Sequence, residues 1–186
     1  ASIWPTATLE KRLSSCQHIT KSSFELVEQL KRVPWGNTSH FVRMDVKHFF
    51  NSGTTRQIIC SVSVLFTGTL KQLVDDVTSF LRDSQFVRSA EVKALFRCTK
   101  GSCIGLRHSV AICDAALYAD MECKWMVRQS VRQSHGIQHF SRFKDNILLV
   151  GTHKWGTRKF VERARHLAGF FEFDDIEVSD HGVDML

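Results

Sequence analysis

The sequence predicts an α+β fold in which helices pack on one face of a mainly antiparallel sheet. Short apolar runs separated by a few turn residues are typical of β-hairpins. Other segments place apolar residues three and four positions apart, which indicates amphipathic helices. The 186 residues are 43% hydrophobic and 24% charged, an ordinary composition for a folded domain. Neither a repeat nor a low-complexity linker divides the chain, so residues 1–186 are interpreted as a single domain fragment.

The first part of the chain supplies one helix and one strand. Residues 1–20 are polar and are expected to form a loop or an incomplete element. A helix is predicted over residues 22–33, with serines at its start that would cap it. Residues 41–46 form an apolar run that predicts a buried strand, and this strand carries Asp45 near its end.

The next segment is predicted to be helical. Thr54 or Thr55 would cap a helix that ends before Gly68, and a second amphipathic helix follows it. The neighbouring acids Asp75 and Asp76 fall inside this second helix. They are interpreted as part of its solvated face rather than as metal ligands.

Two hairpins flank the longest predicted helix. Residues 85–98 alternate loosely between apolar and polar types, which favours a hairpin. A glycine-containing loop at 101–105 then leads into a helix that extends to about Trp125. The second hairpin pairs the apolar runs 136–140 and 147–151 around a polar turn.

The end of the chain is predicted to add a helix and two strands. Phe160–Ala168 form an amphipathic stretch, and Gly169 stands where a C-terminal cap belongs. Residues 170–178 and 181–186 are interpreted as strands. Because the sequence lacks an initiator Met and ends on strand-like residues, we expect it to be a piece of a longer protein.

Composition limits the possible functions. The net charge of +6 permits binding to phosphates. No apolar run approaches the ~18 residues of a membrane span, and no signal peptide is visible. The six cysteines form no C-x-x-C pair, which argues against zinc and favours a reducing, intracellular setting over a disulfide scaffold. His135 and His139 lie four apart, but Gly136 favours a strand or turn there, so they are not expected to bind a metal.

Asp45 and Asp145 both stand at the ends of apolar strands. Side by side, two carboxylates would repel each other unless a divalent cation lay between them. Mg²⁺ prefers oxygen ligands and takes one or two carboxylates, with substrate phosphates at the remaining positions. Two such ions about 3.5–4 Å apart can activate an attacking hydroxyl and stabilise the leaving oxygen of a phosphoryl transfer. A simple polar turn between two strands is the alternative interpretation of Asp145.

Four segments, in order, resemble the motifs of reverse transcriptases. Asp45–Asn51, an acid followed five residues later by an aromatic, resembles motif A. The loop Gly101–Gly105 and the helix after it resemble motif B. Arg142–Leu148 resembles the motif C hairpin with its aromatic-x-Asp-Asp pattern, and residues 157–178 resemble motif D. The resemblance extends from about residue 22 to the end, and it looks most like the Penelope-like and related retroelement branch.

The resemblance implies a right-hand polymerase palm with part of the fingers and without the thumb. Asp45 and Asp145 would hold two catalytic Mg²⁺ (or Mn²⁺) ions, joined by the backbone carbonyl of Val46. The activity implied is that of an RNA-directed DNA polymerase of a retroelement. Its partners would be an RNA template, a DNA primer and deoxynucleoside triphosphates, with no membrane. Enzymes of this kind act near chromosomal DNA, so the nucleus is the implied location.

The resemblance also assigns substrate-binding positions. Phe50 would be the steric gate, a flat ring under the sugar that leaves no room for a 2′-hydroxyl; a core aromatic is the alternative. Gly101 and Gly105 would let the backbone approach the template and the incoming base pair, or would form an ordinary helix-entry loop. Arg56 is a candidate for contacting the triphosphate.

Asn146 stands where reverse transcriptases usually carry a second Asp. Its amide oxygen would coordinate a metal without adding negative charge, which would lower the metal affinity. One alternative function is therefore a catalytically decayed, polymerase-like module that binds nucleic acid by charge. Another is an RNA-dependent RNA polymerase, against which Phe50 argues, because a ribonucleotide enzyme must accept the 2′-hydroxyl.

Overall fold

The computed structural model describes residues 3–34, 36, 39–102 and 106–184. The chain divides into two compact units. The helical unit comprises Ala1–Ser15 and His48–Ala119, and the sheet unit comprises Cys16–Lys47 and Asp120–Leu186.

The described elements combine helices with antiparallel strands, as the sequence predicts. In chain order they are α1 (Ile3–Leu13), α2 (Ser23–Leu30), β1 (His40–Lys47), a 3₁₀ helix (Phe49–Asn51), α3 (Thr55–Ser63), α4 (Gly68–Asp83), β2 (Phe86–Arg88), β3 (Leu95–Arg97), α5 (Arg107–Leu117), a π-helical segment (Tyr118–Met126), α6 (Gln129–Ser134), β4 (Ile137–Phe143), β5 (Asn146–Gly151), α7 (Lys154–Leu167) and β6 (Glu172–Ser179).

Helix α1 corrects the expectation that residues 1–20 form a loop or an incomplete element. Pro5, Leu9 and Leu13 recur every four residues and are buried, so they give the helix one apolar stripe. Pro5 lies in the first turn, where its missing N–H removes no intrahelical hydrogen bond. The polar residues between these three positions mask the periodicity in the sequence.

The predicted helix caps are confirmed at two helices. The Ser22 side chain accepts a hydrogen bond from the backbone N–H of Glu25 at the start of α2. At α3, the Thr54 hydroxyl accepts from the Gln57 N–H, and the Gln57 side chain accepts from the Thr54 N–H. This reciprocal pair is a capping box, which satisfies two backbone donors that a helix start otherwise leaves unpaired.

Helix α4 and the β2–β3 hairpin form where the sequence predicts them. The predicted apolar stripe of α4 is buried at Val74 and Leu81, whereas Leu73 and Phe80 are exposed. Its acid Asp75 accepts hydrogen bonds from neighbouring side chains of α3 and α4. Asp76 is exposed, in agreement with a solvated helix face, whereas Asp75 is half-buried.

The sheet unit contains four antiparallel strands in the order β4–β5–β1–β6. Along β1, Val42, Met44 and Val46 are buried while the residues between them are partly exposed. Along β5, every residue of Ile147–Val150 is buried. α7 packs against β5 and α6 against β4, and Phe160 of α7 is fully buried. The core of this unit therefore includes the buried residues of β5 and the buried face of α7.

The carboxyl-terminal segment agrees with the prediction up to β6. Gly169 follows the last turn of α7 with φ +66°, as expected for a glycine that ends a helix. The strand predicted over 181–186 is wrong for residues 181–184, and residues 185–186 lie outside the described ranges. The hydroxyl of Ser179 accepts hydrogen bonds from the next backbone N–H groups, at residues 181 and 182, so the chain turns instead of extending.

The long predicted helix has two parts. α5 continues directly as the π-helical segment Tyr118–Met126, which reaches the predicted end near Trp125. π-helical geometry is rare and occurs frequently at functional sites, and the sequence pattern did not indicate it. The short helix α6 was also not predicted.

The thiols agree only partly with the expectation of a reducing setting. Cys16, Cys60, Cys113 and Cys123 are free, whereas Cys98 is disulfide-bonded. Across the described ranges, no helix combines the length and the apolar character that crossing a membrane requires.

Candidate active site

Strand β1 places Asp45 on the partly exposed face of the sheet. Successive side chains of a strand point to opposite faces. Because Met44 and Val46 are buried, Asp45 points the other way and is half-buried. The sequence pattern predicted this strand and the position of the acid near its end.

The β4–β5 hairpin carries the second acid in its turn. Phe143 pairs with Asn146, so Lys144 and Asp145 form a two-residue turn. Lys144 has φ +54°, in the left-handed region that non-glycine residues rarely adopt. The Asp145 side chain is half-buried, and that of Lys144 is exposed.

The register of β1 and β5 places Asp45 opposite Asn146, the residue that follows Asp145. Asp45 is directly opposite Asn146, and the N–H of Val46 donates to the carbonyl oxygen of Asp145 at 3.0 Å. The Asp45–Asn146 pair is thus the non-hydrogen-bonded kind, in which side chains on the same face approach closely, with Cβ atoms about 4.5–5.5 Å apart. The Asn146 amide also donates to Asp145 Oδ1 at 3.3 Å. Asn146 therefore lies beside both carboxylates.

These side chains fit a hard divalent cation. They offer carboxylate and amide oxygens, which are the ligands that Mg²⁺ and Mn²⁺ accept. Among the described residues, no group of three or more His, Cys, Asp or Glu side chains is arranged to hold a metal. Two carboxylates and an amide match a site that takes its remaining ligands from a substrate rather than a closed cage of protein side chains.

Phe50 and Gly101 lie together in the helical unit. The N–H of Ser102 donates to the carbonyl oxygen of Phe50, and the N–H of Gly101 donates to that of Gly53 at 2.8 Å. Gly101 has φ +64°, and a Cβ there would lie 2.1 Å from Asn51 Cα. The glycine is therefore required for the loop to approach the backbone that carries Phe50, a contact between the two segments predicted as motifs A and B.

The remaining predicted substrate residues have mixed outcomes. The Phe50 ring is half-buried and meets the ring of Phe49 edge-on, with centroids 5.1 Å apart. Arg56 is exposed on the first turn of α3. Gly105 lies outside the described residues. The roles assigned to these residues stay predictions.

A buried polar cluster behind the motif B loop was not predicted. Arg82 is fully buried and donates to the Gln85 side chain at 2.7 Å, and Gln85 lies 3.0 Å from His108 of α5. Ser102 donates to Ser109 at 2.9 Å. Burial lowers the pKa of His108, which favours its neutral form. The cluster links the end of α4 to the loop and the first turn of α5.

A second buried polar cluster, which was not predicted, connects the β4–β5 hairpin with the π-helical segment. Arg142 of β4 and Glu122 of the π-helical segment are both fully buried and form an ion pair, with Arg142 Nε 2.5 Å from Glu122 Oε1. His18 Nε2 lies 2.9 Å from Glu122 Oε2. Burial alone would raise the pKa of Glu122, but the charges and hydrogen bonds of Arg142 and His18 lower it to about 2. The carboxylate is therefore ionised inside the protein.

The sequence contains a signal for the burial of Glu122. Ala115, Ala119 and Met126 lie seven and three residues before it and four after it, and each is fully buried. An acid on such an apolar stripe requires a buried partner. Arg142 is the matching partner, a charged residue within the largely buried strand β4.

The structure is similar to known polymerases. It superposes on telomerase from Candida tropicalis with a TM-score of 0.70 and 14% identity, covering 96% of this chain and 40% of that chain. Telomerase from Candida albicans, in complex with the TWJ fragment of telomeric RNA, superposes with a TM-score of 0.64 and 13% identity. The match covers 98% of this chain and 36% of that chain. The BmCPV RNA-dependent RNA polymerase at elongation state superposes with a TM-score of 0.63 and 12% identity. The match covers 96% of this chain and 18% of that chain.

These similarities establish the fold. The chain has a polymerase-like fold and spans about two fifths of the first telomerase chain. Neither a protein-family model nor a curated protein matches the sequence. The expectation of an antiparallel polymerase palm is confirmed at the level of fold, whereas the Penelope-like affiliation stays a prediction.

Proposed function

We propose that this chain is the palm of a nucleic-acid polymerase that adds nucleotides to a primer 3′-hydroxyl. The observation that carries the proposal is the register of β1 and β5, which places Asp45 opposite Asn146 and next to the turn residue Asp145. Because the three residues come from two strands and a tight turn, the backbone fixes their relative positions before any substrate binds.

Asp45 and Asp145 would hold Mg²⁺ or Mn²⁺, with Asn146 as a neutral third oxygen ligand. The bound ions would supply Lewis-acid chemistry, activating the attacking hydroxyl and stabilising the leaving phosphate oxygen. By holding the ions, Asp45, Asp145 and Asn146 would help to position the triphosphate and the primer end. The half-buried position of both carboxylates leaves room for substrate oxygens to complete the coordination.

The finer proposal is RNA-directed DNA synthesis. The four sequence motifs support it, and two of the structural neighbours are telomerases, which are reverse transcriptases. In this proposal the RNA template and DNA primer are held by a chain with net charge +6. Phe50 selects deoxynucleotides by excluding the 2′-hydroxyl. We likewise propose that the gene comes from a retroelement.

The test is primer extension by the complete protein, with Asp145→Asn set against Asp76→Asn. Both variants make the same chemical change, but Asp76 is an exposed residue of α4 and is not one of the proposed metal ligands. Even an outer-shell partner of a metal ligand is worth about 10–100-fold in activity, so loss of a direct ligand should cost more than about a hundredfold. Asp76→Asn should extend primers like the natural protein, and EDTA should abolish extension. Equal activity of the two variants would refute the proposal.

The second candidate, a decayed module that binds nucleic acid without catalysis, is favoured by Asn146. Asn146→Asp separates the two, because it restores the second acid of the motif. If the natural chain does not extend primers but the variant does, the site has decayed. If the natural chain extends primers and the variant adds little, the amide belongs to a working site.

The third candidate, an RNA-dependent RNA polymerase, is favoured by the similarity to the BmCPV enzyme. Phe50→Ala distinguishes it from a reverse transcriptase. In a reverse transcriptase, the smaller side chain should admit ribonucleotides and raise their incorporation relative to deoxynucleotides. Unchanged sugar selectivity would remove Phe50 from the gate role.

A further inference from the structure

Arg142 joins a buried acid to the turn that carries Asp145. Its side chain is completely buried, at 0% exposure. Nε donates to Glu122 Oε1 at 2.5 Å, and Nη2 lies 3.4 Å from Glu122 Oε2. The third nitrogen, Nη1, donates to the backbone carbonyl oxygen of Lys144 at 2.9 Å. One planar group therefore contacts both the π-helical segment and the hairpin turn.

The backbone of Arg142 is held as firmly as its side chain. Its N–H donates to the His18 carbonyl oxygen at 2.7 Å, and its own carbonyl accepts from the Thr20 N–H at 2.8 Å and the Thr20 hydroxyl at 3.1 Å. On the other side it pairs with Ile147 of β5. Because the guanidinium is planar and its donors diverge at fixed angles, this anchoring fixes where Nη1 points.

The turn requires such a support. Lys144 adopts a left-handed backbone conformation, which is unfavourable for a non-glycine residue. Its carbonyl oxygen is the group that Nη1 binds, and the next residue is Asp145. A change in the Lys144 peptide would rotate the backbone that projects the Asp145 carboxylate.

We propose that Arg142, held by Glu122, is a positioning residue that fixes the Lys144–Asp145 turn and thereby the carboxylate of Asp145. The part of this inference that concerns metal binding rests on the proposed function. The part that concerns the turn does not, because it is a statement about backbone geometry.

The test uses Arg142→Lys. Lysine keeps a cation beside Glu122, but its single nitrogen cannot reproduce the diverging donors that contact both Glu122 and the Lys144 carbonyl. The matched control is His18→Gln. It alters the other partner of Glu122 and leaves the bond from Arg142 to the turn in place.

The first measurement is hydrogen exchange at the backbone amide of Val46, which donates to the carbonyl oxygen of Asp145 and so reports the turn directly. Loss of a hydrogen bond made by a charged donor predicts about tenfold faster exchange there in Arg142→Lys, with the amides of the β1–β6 pair unchanged. His18→Gln should leave Val46 exchange at the natural rate. Unchanged Val46 exchange in Arg142→Lys, or a rise shared equally by all strand amides, would overturn the proposal.

The second measurement is the affinity for Mn²⁺, followed by its electron paramagnetic resonance signal. Arg142→Lys should bind Mn²⁺ about tenfold more weakly, as expected when a group that orients a metal ligand is lost. If the natural chain binds no Mn²⁺, or if Asp145→Asn does not weaken binding, the proposed function fails while the exchange result still decides the inference about the turn. If Mn²⁺ binds at Asp145 and Arg142→Lys changes only the exchange, the link from turn to carboxylate is refuted.

A second variant covers the case in which Arg142→Lys does not fold. The double substitution Glu122→Gln with Arg142→Gln removes both buried charges together, which avoids leaving one charge unpaired. It also removes the bond to the Lys144 carbonyl. The same local increase in Val46 exchange is expected, and its absence would equally overturn the proposal.

Discussion

Replacing Glu122 by Gln should destabilise the protein in a way that depends on pH. The substitution keeps the shape of the side chain and removes its charge, leaving the buried guanidinium of Arg142 without a counter-ion. The pKa of Glu122 is about 2 in the folded protein and 4.5 for an unperturbed glutamate. One pKa unit corresponds to 1.36 kcal/mol, so the ionised carboxylate contributes about 3 kcal/mol at neutral pH. This agrees with the 3–5 kcal/mol that breaking a buried ion pair typically costs.

The pH dependence follows from the lowered pKa. Between about pH 4.5 and pH 2 the unfolded chain binds a proton at this carboxyl group and the folded chain does not, so the stabilisation falls as the pH falls. The free energy of unfolding of the natural chain should therefore exceed that of Glu122→Gln by about 3 kcal/mol above pH 5, and the difference should shrink as the pH approaches 2.

The assay is urea denaturation followed by circular dichroism at a series of pH values from 7 down to 2.5. Such a difference is a large share of the 5–15 kcal/mol typical of a domain, so it is readily measured. A difference below about 1 kcal/mol at pH 7, or one that stays constant over the whole pH range, would refute the argument that Glu122 is ionised and paired in the folded chain.

Two further predictions concern stability. Gly101→Ala should lower the free energy of unfolding by more than about 3 kcal/mol, because its Cβ would lie 2.1 Å from Asn51 Cα. The control Gly68→Ala has a similar φ of +59° but open space around its Cβ, and it should cost about 1–2 kcal/mol. Equal losses of stability in urea denaturation would contradict the close approach at Gly101. The pKa of His139 is lowered to about 4 by burial and by the charge of Arg132, so its neutral form stabilises the fold above pH 6.5 and this stabilisation is lost as the pH falls through 4. His139→Gln should flatten the stability profile between those pH values, and an unchanged slope would show that another group titrates there.

The strands and most helices could be predicted because their signals are local. The alternation in β1 and the Thr54 cap are each encoded within a few neighbouring residues. The helix at Ile3–Leu13 was not predicted because its local signal is weak. Its three buried residues are separated mainly by polar ones, and the apolar stripe becomes evident only in the packed structure. The strand predicted over 181–186 is wrong for residues 181–184, because the Ser179 hydroxyl accepts hydrogen bonds from the N–H groups of residues 181 and 182.

The site was predictable only in part. The sequence identified Asp45 and Asp145 as acids at strand ends, but their proximity depends on which residues of β1 and β5 face each other, and a hydrophobic pattern does not specify that pairing. The pairing of Glu122 with Arg142 could not be predicted for a different reason, although Glu122 by itself is conspicuous on an apolar stripe. Its members are twenty residues apart on unlike elements, and their partnership exists only once both are removed from water.

The two edges of the sheet oppose pairing with further strands by different means. On the outer edge of β4, the N–H and C=O of Arg142 are already bound by residues 18–20 of the same chain. Strand β6 forms the opposite edge of the sheet. Its eight residues include the acids Glu172, Asp174 and Glu177. Charged side chains on an edge strand oppose its pairing with another chain. These features oppose edge-to-edge pairing, because a strand from a second copy would find Arg142 already paired on one side and like charges on the other.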